Sequence, residues 1–166
     1  NLIRRILFHH NVCDEETFEK AYEYYNKNYN ANPHYLTEVY EGVPETLEIL
    51  KNKGLKLAVL SNKPHYPTCE IIKKYFGDEL FDVVYGARDG YPKKPDTTVP
   101  LIIASELQVE PYECIYLGDT NTDMQTGKAS GFLTIGVLWG FRTKEELEAN
   151  NADALVEHPL EIINHI

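Results

Sequence analysis

From Gly42 onward the chain alternates between two hydrophobic periods. Short apolar runs at 55–60, 81–85, 114–117 and 133–137 each follow a stretch whose apolar residues recur at helical spacing. The pattern predicts helix 44–53 leading into strand 55–60, and helix 64–76 into strand 81–85. Helix 97–107 precedes strand 114–117, and helix 122–130 precedes strand 133–137. A helix near 144–149, a short strand at 154–156 and a last helix from Pro159 complete the series. Pro44, Pro64 and Pro159 stand at helix starts, while Gly54, Gly77 and Gly131 stand just past helix ends, the usual asymmetry of the two residues. Strands alternating with helices through short loops imply an α/β fold built on a doubly wound parallel sheet.

The first 38 residues read differently. Leu2, Ile3, Ile6 and Leu7 fall at helical spacing, and Asp14 is placed to cap a second helix carrying Phe18, Ala21, Tyr22 and Tyr25. Asn32-Pro33 then breaks the pattern. With no strand in it, this segment is expected to be a helical module, giving a division into 1–38 and 39–166. Tyr22, Tyr24, Tyr25, Tyr29 and Tyr35 are read as part of an amphipathic helix and its exit loop, with an aromatic wall at a ligand site as the alternative.

Composition narrows the partners. The 166 residues are 43% hydrophobic and 25% charged, ordinary values for a globular chain. The formal net charge of −10 argues against sequence-independent binding to nucleic acid and against docking on an anionic membrane. A small phosphorylated metabolite stays admissible, because a metal and a few local cations dominate one pocket whatever the overall charge. Cys13, Cys69 and Cys114 are odd in number and show no metal spacing, so reduced thiols in a cytoplasmic protein are expected. Cys69 and Cys114, in apolar stretches, read as small hydrophobes. No apolar run approaches the ~18 residues of a membrane span.

Candidate chemistry sits where two apolar runs stop. Residues 57–62 end in Ser61 and Asn62; residues 117–123 deliver Asp119 and Asp123 at i, i+4 spacing where a helix begins. Open α/β sheets bind ligands at the carboxyl ends of their strands. A hydroxyl, an amide and paired carboxylates there suit a phosphate held beside Mg²⁺. Each has a plainer reading. Ser61 could cap the helix before Pro64, and Thr120-x-x-Asp123 could form a capping box, a role compatible with metal binding. Two acids after an apolar strand nevertheless cost stability unless a cation or donors compensate them.

Ser61-Asn62, Lys93-Lys94-Pro95 and Gly118-Asp119-x-x-x-Asp123, in this order, resemble the haloacid dehalogenase-like hydrolase superfamily in its phosphoglycolate phosphatase-like branch. The resemblance spans nearly the whole chain and is strongest from Gly42-Val43-Pro44, through 57–63, to Trp139-Gly140 and Ala152-Asp153. It implies a Rossmannoid core and a role for each matching residue. Ser61 would hold a phosphoryl oxygen by its hydroxyl, helped by the backbone N–H of Asn62. Lys94 would neutralise charge on phosphate and nucleophile, with Lys93 as the neighbouring candidate. Asp119 and Asp123 would bind Mg²⁺, Asp119 more directly. The implied activity is Mg²⁺-dependent hydrolysis of a small, phosphoglycolate-like phosphomonoester through an aspartyl phosphate. A sugar-phosphate mutase of the same superfamily and a non-catalytic phosphate-binding module are the alternatives; the acidic pair makes a dehalogenase less fitting. Oligomeric state is left open.

Two departures qualify the resemblance. The superfamily's nucleophile is the first Asp of an Asp-x-Asp on a central strand, and no apolar strand here ends that way. Asp14 follows Asn11-Val12-Cys13, but within the helical module. The resemblance makes residues 1–38 the last part of a helical cap that lies, in sequence, between the nucleophile strand and the Ser61 strand. It also places the nucleophile strand, in the sheet, between the strands of Ser61 and Asp119. Residues 1–166 alone are therefore expected not to be a self-sufficient enzyme. The second departure is Lys94-Pro95-Asp96-Thr97 in place of Lys-Pro-x-Pro, which implies a small loop change.

Overall fold

The computed structural model describes residues 2–166, apart from the side chain of Asn30. The chain forms two compact units, the first ending at Thr37 and the second running Glu38–Ile166.

The first unit holds α1 (Leu2–His9) and α2 (Glu15–Ala31). The Asp14 carboxylate accepts the Thr17 N–H at 2.8 Å and caps α2, a bond that holds its carboxyl below the usual range. The Arg4 guanidinium pairs with Glu15 and stacks over Phe18, 3.7 Å from the ring centroid. Phe18–Tyr22 and Tyr25–Tyr29 stack one turn apart, so four of the aromatic rings run along α2 as i, i+4 pairs. Tyr35 lies beyond the helix and is exposed.

The second unit alternates strand and helix. Its elements are α3 (Val43–Asn52), β1 (Ala58–Pro64), α4 (His65–Phe76), β2 (Val83–Ala87), α5 (Thr98–Glu106), β3 (Ile115–Gly118), α6 (Asn121–Ala129), β4 (Leu133–Val137), α7 (Lys144–Ala149) and β5 (Ala154–Val156). Short 3-10 helices occupy Pro111–Glu113 and Pro159–His165; the second stands where an α-helix is expected. All strand pairs are parallel, but they form two sheets, β1–β2 and β3–β4–β5. Among the described residues no strand pairs with both β1 and β3.

β1 and β2 begin three and two residues later than the apolar runs suggest. The reason is Asp82. Its carboxylate takes the Leu57 N–H at 2.7 Å, and its own N–H donates to the Leu57 carbonyl at 2.8 Å. The ladder therefore opens only at Ala58↔Val83. It is interrupted again between Leu60↔Tyr85 and Pro64↔Ala87, where residues 61–63 of β1 stand opposite Gly86 alone. This bulge lifts Ser61 and Asn62 out of the regular ladder. Bulges of this kind re-aim side chains beside functional sites. Gly86 is required opposite it, because a Cβ there would lie 2.5 Å from the His65 Cα and 2.8 Å from the Lys63 carbonyl.

Leu50, Leu57, Ile135, Val137, Val156 and Ile162 form the main core cluster. A second cluster joins Tyr85 to Val99, Ile103 and Leu107 of the α5 region. Cys69 and Cys114 are half-buried and unbridged, and burial pushes both thiols up. No described helix is long and apolar enough to cross a membrane.

Two carboxylates tie the elements together. Asp82 also meets the Lys51 ammonium at 2.8 Å, and Asp153 accepts from Lys128 at 2.6 Å and from the Thr134 N–H at 2.8 Å. The lysine in each case, and then the backbone N–H, hold both carboxyls below the usual range. Depressed folded-state values stabilise above the unfolded value and are lost as the pH falls through the folded one. Urea denaturation between pH 7 and 3 is expected to show stability falling below about pH 4, with a shallower fall in the Asp82→Asn/Asp153→Asn protein.

Candidate active site

The site is built from three irregular pieces: the β1 bulge, the loop after β2, and the turn from β3 into α6. In the bulge, the Ser61 Oγ accepts the Lys63 N–H at 3.1 Å. This local turn differs from the capping role weighed above: Pro64 occupies the N-cap position of α4, without a side-chain cap. An accepting hydroxyl keeps its own proton for donation. The Asn62 side chain reaches across to the loop. Its Oδ1 accepts the Lys94 N–H at 2.9 Å, and its Nδ2 donates to the Lys94 carbonyl at 3.2 Å.

Lys94 lies in this loop, just before a cis proline, Pro95. Its ammonium turns inward. Nζ donates to Asp123 Oδ1 at 2.7 Å and to the Leu60 carbonyl at 3.3 Å, directly before Ser61 in the chain. The two side chains are 14% and 8% exposed. Tyr116 places its ring 5.9 Å from Nζ, and burial together with the Asp123 charge pushes its phenol up, so the ring stays neutral. Lys93, by contrast, is exposed.

The acidic pair differs in environment. Asp123 closes a capping box with Thr120: its Oδ2 accepts the Thr120 O–H at 2.6 Å and N–H at 3.1 Å. With Lys94 on Oδ1, both carboxylate oxygens already have donors. Asp119 is held more lightly, by the Phe141 N–H at 2.8 Å on Oδ2. Two glycines make room. A Cβ on Gly118 would lie 2.1 Å from the Asp123 Cβ, and one on Gly140 would lie 2.2 Å from the Asp119 Cβ. In the sequence, the support that Gly140 and Phe141 give Asp119 has a single trace, the Trp139-Gly140 pair that follows an apolar strand.

The structure thus brings Asn62, Lys94 and Asp123 into one hydrogen-bonded chain, with Ser61 adjacent to its Leu60 contact. Asp119, four residues before Asp123, is fixed by a separate contact. No three His, Cys, Asp or Glu side chains cluster in metal-binding geometry among the described residues. Mg²⁺ does not need three, since it keeps several waters and takes one or two carboxylates. An Asp119 carboxylate with one protein donor, beside a fully engaged Asp123, fits a direct ligand and a water-mediated one. A cavity of about 370 Å³ borders Asp119, but Val43, Leu47, Leu50, Val137, Trp139 and Ile162 make it apolar and unsuited to phosphate. A larger one, about 720 Å³, lies within the first unit and includes none of these residues.

By fold and by site this is a parallel α/β protein presenting cationic, hydroxyl and paired carboxylate groups where strands end. The sequence profile of haloacid dehalogenase-like hydrolases matches residues 4–137. The phosphoglycolate phosphatase of Aquifex aeolicus is 34% identical over 159 residues, 93% of this chain and 73% of that protein. That of Pseudomonas putida KT2440 is 28% identical over 159 residues, 94% of this chain but 58% of the relative. The crystal structure of a predicted phosphatase from Clostridium acetobutylicum superimposes with a TM-score of 0.82 at 27% identity, covering 99% of this chain and 76% of that one. A β-phosphoglucomutase from Clostridium difficile shares the fold, with a TM-score of 0.75 at 20% identity, covering 98% and 74% of the two chains. The chain belongs to the haloacid dehalogenase-like hydrolase family, in its phosphoglycolate phosphatase-like branch, and spans between about three fifths and three quarters of the length of these relatives.

The close approach at Gly118 yields a direct test. Gly118→Ala forces the Asp123 side chain away and is expected to cost about 1–3 kcal/mol, the usual range for overpacking. The shift in urea midpoint at constant m-value measures it.

Proposed function

We propose that the protein is a Mg²⁺-dependent phosphatase acting on a small phosphomonoester of phosphoglycolate type, through an aspartyl phosphate. The observation that carries this reading is the Lys94 ammonium, largely buried and aimed by Asp123 and the Leu60 carbonyl at the carboxyl ends of β1 and β3. A lysine with no chemical task is normally solvated. The relatives named phosphoglycolate phosphatase support the substrate class.

In this reading each residue has one task. The Ser61 O–H and the Asn62 backbone N–H donate to phosphoryl oxygens. Lys94 offsets the charge that accumulates on those oxygens, a preorganised contribution that requires no rearrangement during the reaction. Asp119 holds Mg²⁺ directly and Asp123 holds it through water while orienting Lys94. The bound ion would offset phosphate charge. The attacking aspartate that the resemblance implies is not among the residues at this site, so the reaction needs that group supplied in the same chain or by a second polypeptide. A sugar-phosphate mutase would share these tasks and differ in the acceptor of the phosphoryl group. Assay with the attacking aspartate present, in the same chain or on a second polypeptide, using phosphoglycolate, hexose phosphates and p-nitrophenyl phosphate, separates the two, since only the hydrolase releases inorganic phosphate at every turnover.

Two outcomes test the assignments. Mg²⁺ is expected to raise the melting temperature, and Asp119→Asn, which keeps the shape but loses the charge, to abolish that shift; a persistent shift removes Asp119 from the metal site. Lys94→Ala is expected to lower turnover of p-nitrophenyl phosphate by about two orders of magnitude or more, the scale for losing a transition-state donor, and Lys93→Ala far less. The opposite ranking would identify Lys93 as the working residue.

A further inference from the structure

The Asn62 side chain has a task separate from its backbone. Both ends of its carboxamide engage one residue: Oδ1 takes the Lys94 N–H at 2.9 Å and Nδ2 gives a hydrogen to the Lys94 carbonyl at 3.2 Å. Satisfying a peptide's donor and acceptor together requires an acceptor and a donor side by side, which an amide has and a carboxylate or hydroxyl of the same reach does not offer in one plane. The partners are 32 residues apart in sequence, so the contact is a tertiary one between the β1 bulge and the loop.

That loop has little else to fix it at this point. No helix or strand covers residues 88–97, and Lys93 and Pro95 on either side of Lys94 are exposed. Its start is pinned where Arg88 stacks on Tyr85 and Tyr91, at 4.3 and 4.5 Å from the ring centroids. Its other turn contacts include Tyr91 N–H to Arg88 carbonyl and Asp96 N–H to Lys93 carbonyl, and the Asp96 Oδ1 accepts the Thr98 N–H at 2.8 Å where α5 begins. Lys94 is gripped at both ends by groups outside the loop, its peptide by Asn62 and its ammonium by Asp123 and Leu60. Lys93, one residue away, has no such grip on its peptide from Asn62.

We propose that the Asn62 carboxamide is a positioning residue for the phosphatase reaction: it clamps the Lys94 peptide, selects Lys94 over Lys93, and sets where the ammonium meets the phosphoryl group. The inference rests on the phosphatase reading above. It is distinct from phosphate binding by the Asn62 N–H, which alanine retains. Displacing a catalytic cation by about 1 Å costs up to about a hundredfold in rate.

The test is a double-mutant cycle with the attacking aspartate present, in the same chain or on a second polypeptide, with Mg²⁺ and p-nitrophenyl phosphate. Asn62 is exposed, so truncating it opens no core cavity. Asn62→Ala is expected to lower kcat by about ten- to a hundredfold with KM changed less than about threefold. In a Lys94→Ala background the same change is expected to cost less than about twofold, because the group it positions is gone. A second readout needs no activity: the rate of reductive methylation at each lysine, followed by mass spectrometry. Lys94 is expected to react at least about fivefold faster in Asn62→Ala, while Lys128, paired elsewhere with Asp153, keeps its rate. Equal losses in both backgrounds, or a Lys94 labelling rate unchanged by Asn62→Ala, overturn the inference. A wild-type protein that labels as expected but turns over no phosphomonoester overturns the phosphatase reading instead and leaves the clamp standing.

Discussion

The buried contact between Lys94 and Asp123 is the constraint on which the site depends. Taking an ammonium and a carboxylate out of water costs several kcal/mol per ion, so such a pair is weak evidence for stability. Here the cost is offset locally. The Leu60 carbonyl takes a second hydrogen from the ammonium, and the Thr120 hydroxyl and N–H fill the far oxygen of the carboxylate. What the arrangement provides is position. It fastens a loop cation to the end of β1 in one sheet and to the first turn of α6, the helix that follows β3 of the other. Removing either partner alone would leave an uncompensated buried charge, a loss of about 3–5 kcal/mol.

Two features of the backbone let that contact form. The bulge in β1 sets three residues against one and turns 61–63 out of the ladder, so one short segment supplies a hydroxyl, a carboxamide and the neighbouring Leu60 carbonyl. Gly118 and Gly140 leave out the side-chain atoms that would otherwise occupy the positions of Asp123 and Asp119. Such tolerances are tight. At separations of 2.1 and 2.2 Å from those Cβ atoms, even a methyl group forces the carboxylates elsewhere.

The alternation of strands and helices was legible because its cause is local: apolar periodicity, proline at helix starts and glycine after helix ends. β4, α7 and β5 fall where the pattern put them, and Asp14 caps α2. Misplaced boundaries have a tertiary cause. Asp82, which stands inside the run expected as a strand, captures the Leu57 N–H that a ladder would have used and delays both strands. The same distinction applies to the site. The candidate residues could be named from strand ends and from the resemblance, but not the grip of Asn62 on Lys94. That contact joins a bulge to an irregular loop, and neither has a periodicity to read. The bond from Phe141 to Asp119 was illegible for a related reason: a backbone N–H leaves no trace in residue type.

Charge balance bears on the choice among readings. Lys94 contributes one positive charge, while Asp119 and Asp123 contribute two negative ones, so these three side chains together carry one net negative charge. The chain as a whole is also strongly acidic. A phosphomonoester dianion entering this constellation would meet repulsion that one ammonium, already shared with Asp123, does not cancel. A module that merely retained phosphate would be better served by arginines or by a glycine-rich loop of backbone N–H groups. Paired carboxylates become favourable once a divalent cation joins them, because the cation then carries the largest local charge and reverses the sign of the site. The negative balance of these residues therefore supports a metal-assisted reaction over passive phosphate binding, and gives Asp119, the more lightly held of the two acids, its reason to face the site with an oxygen to spare.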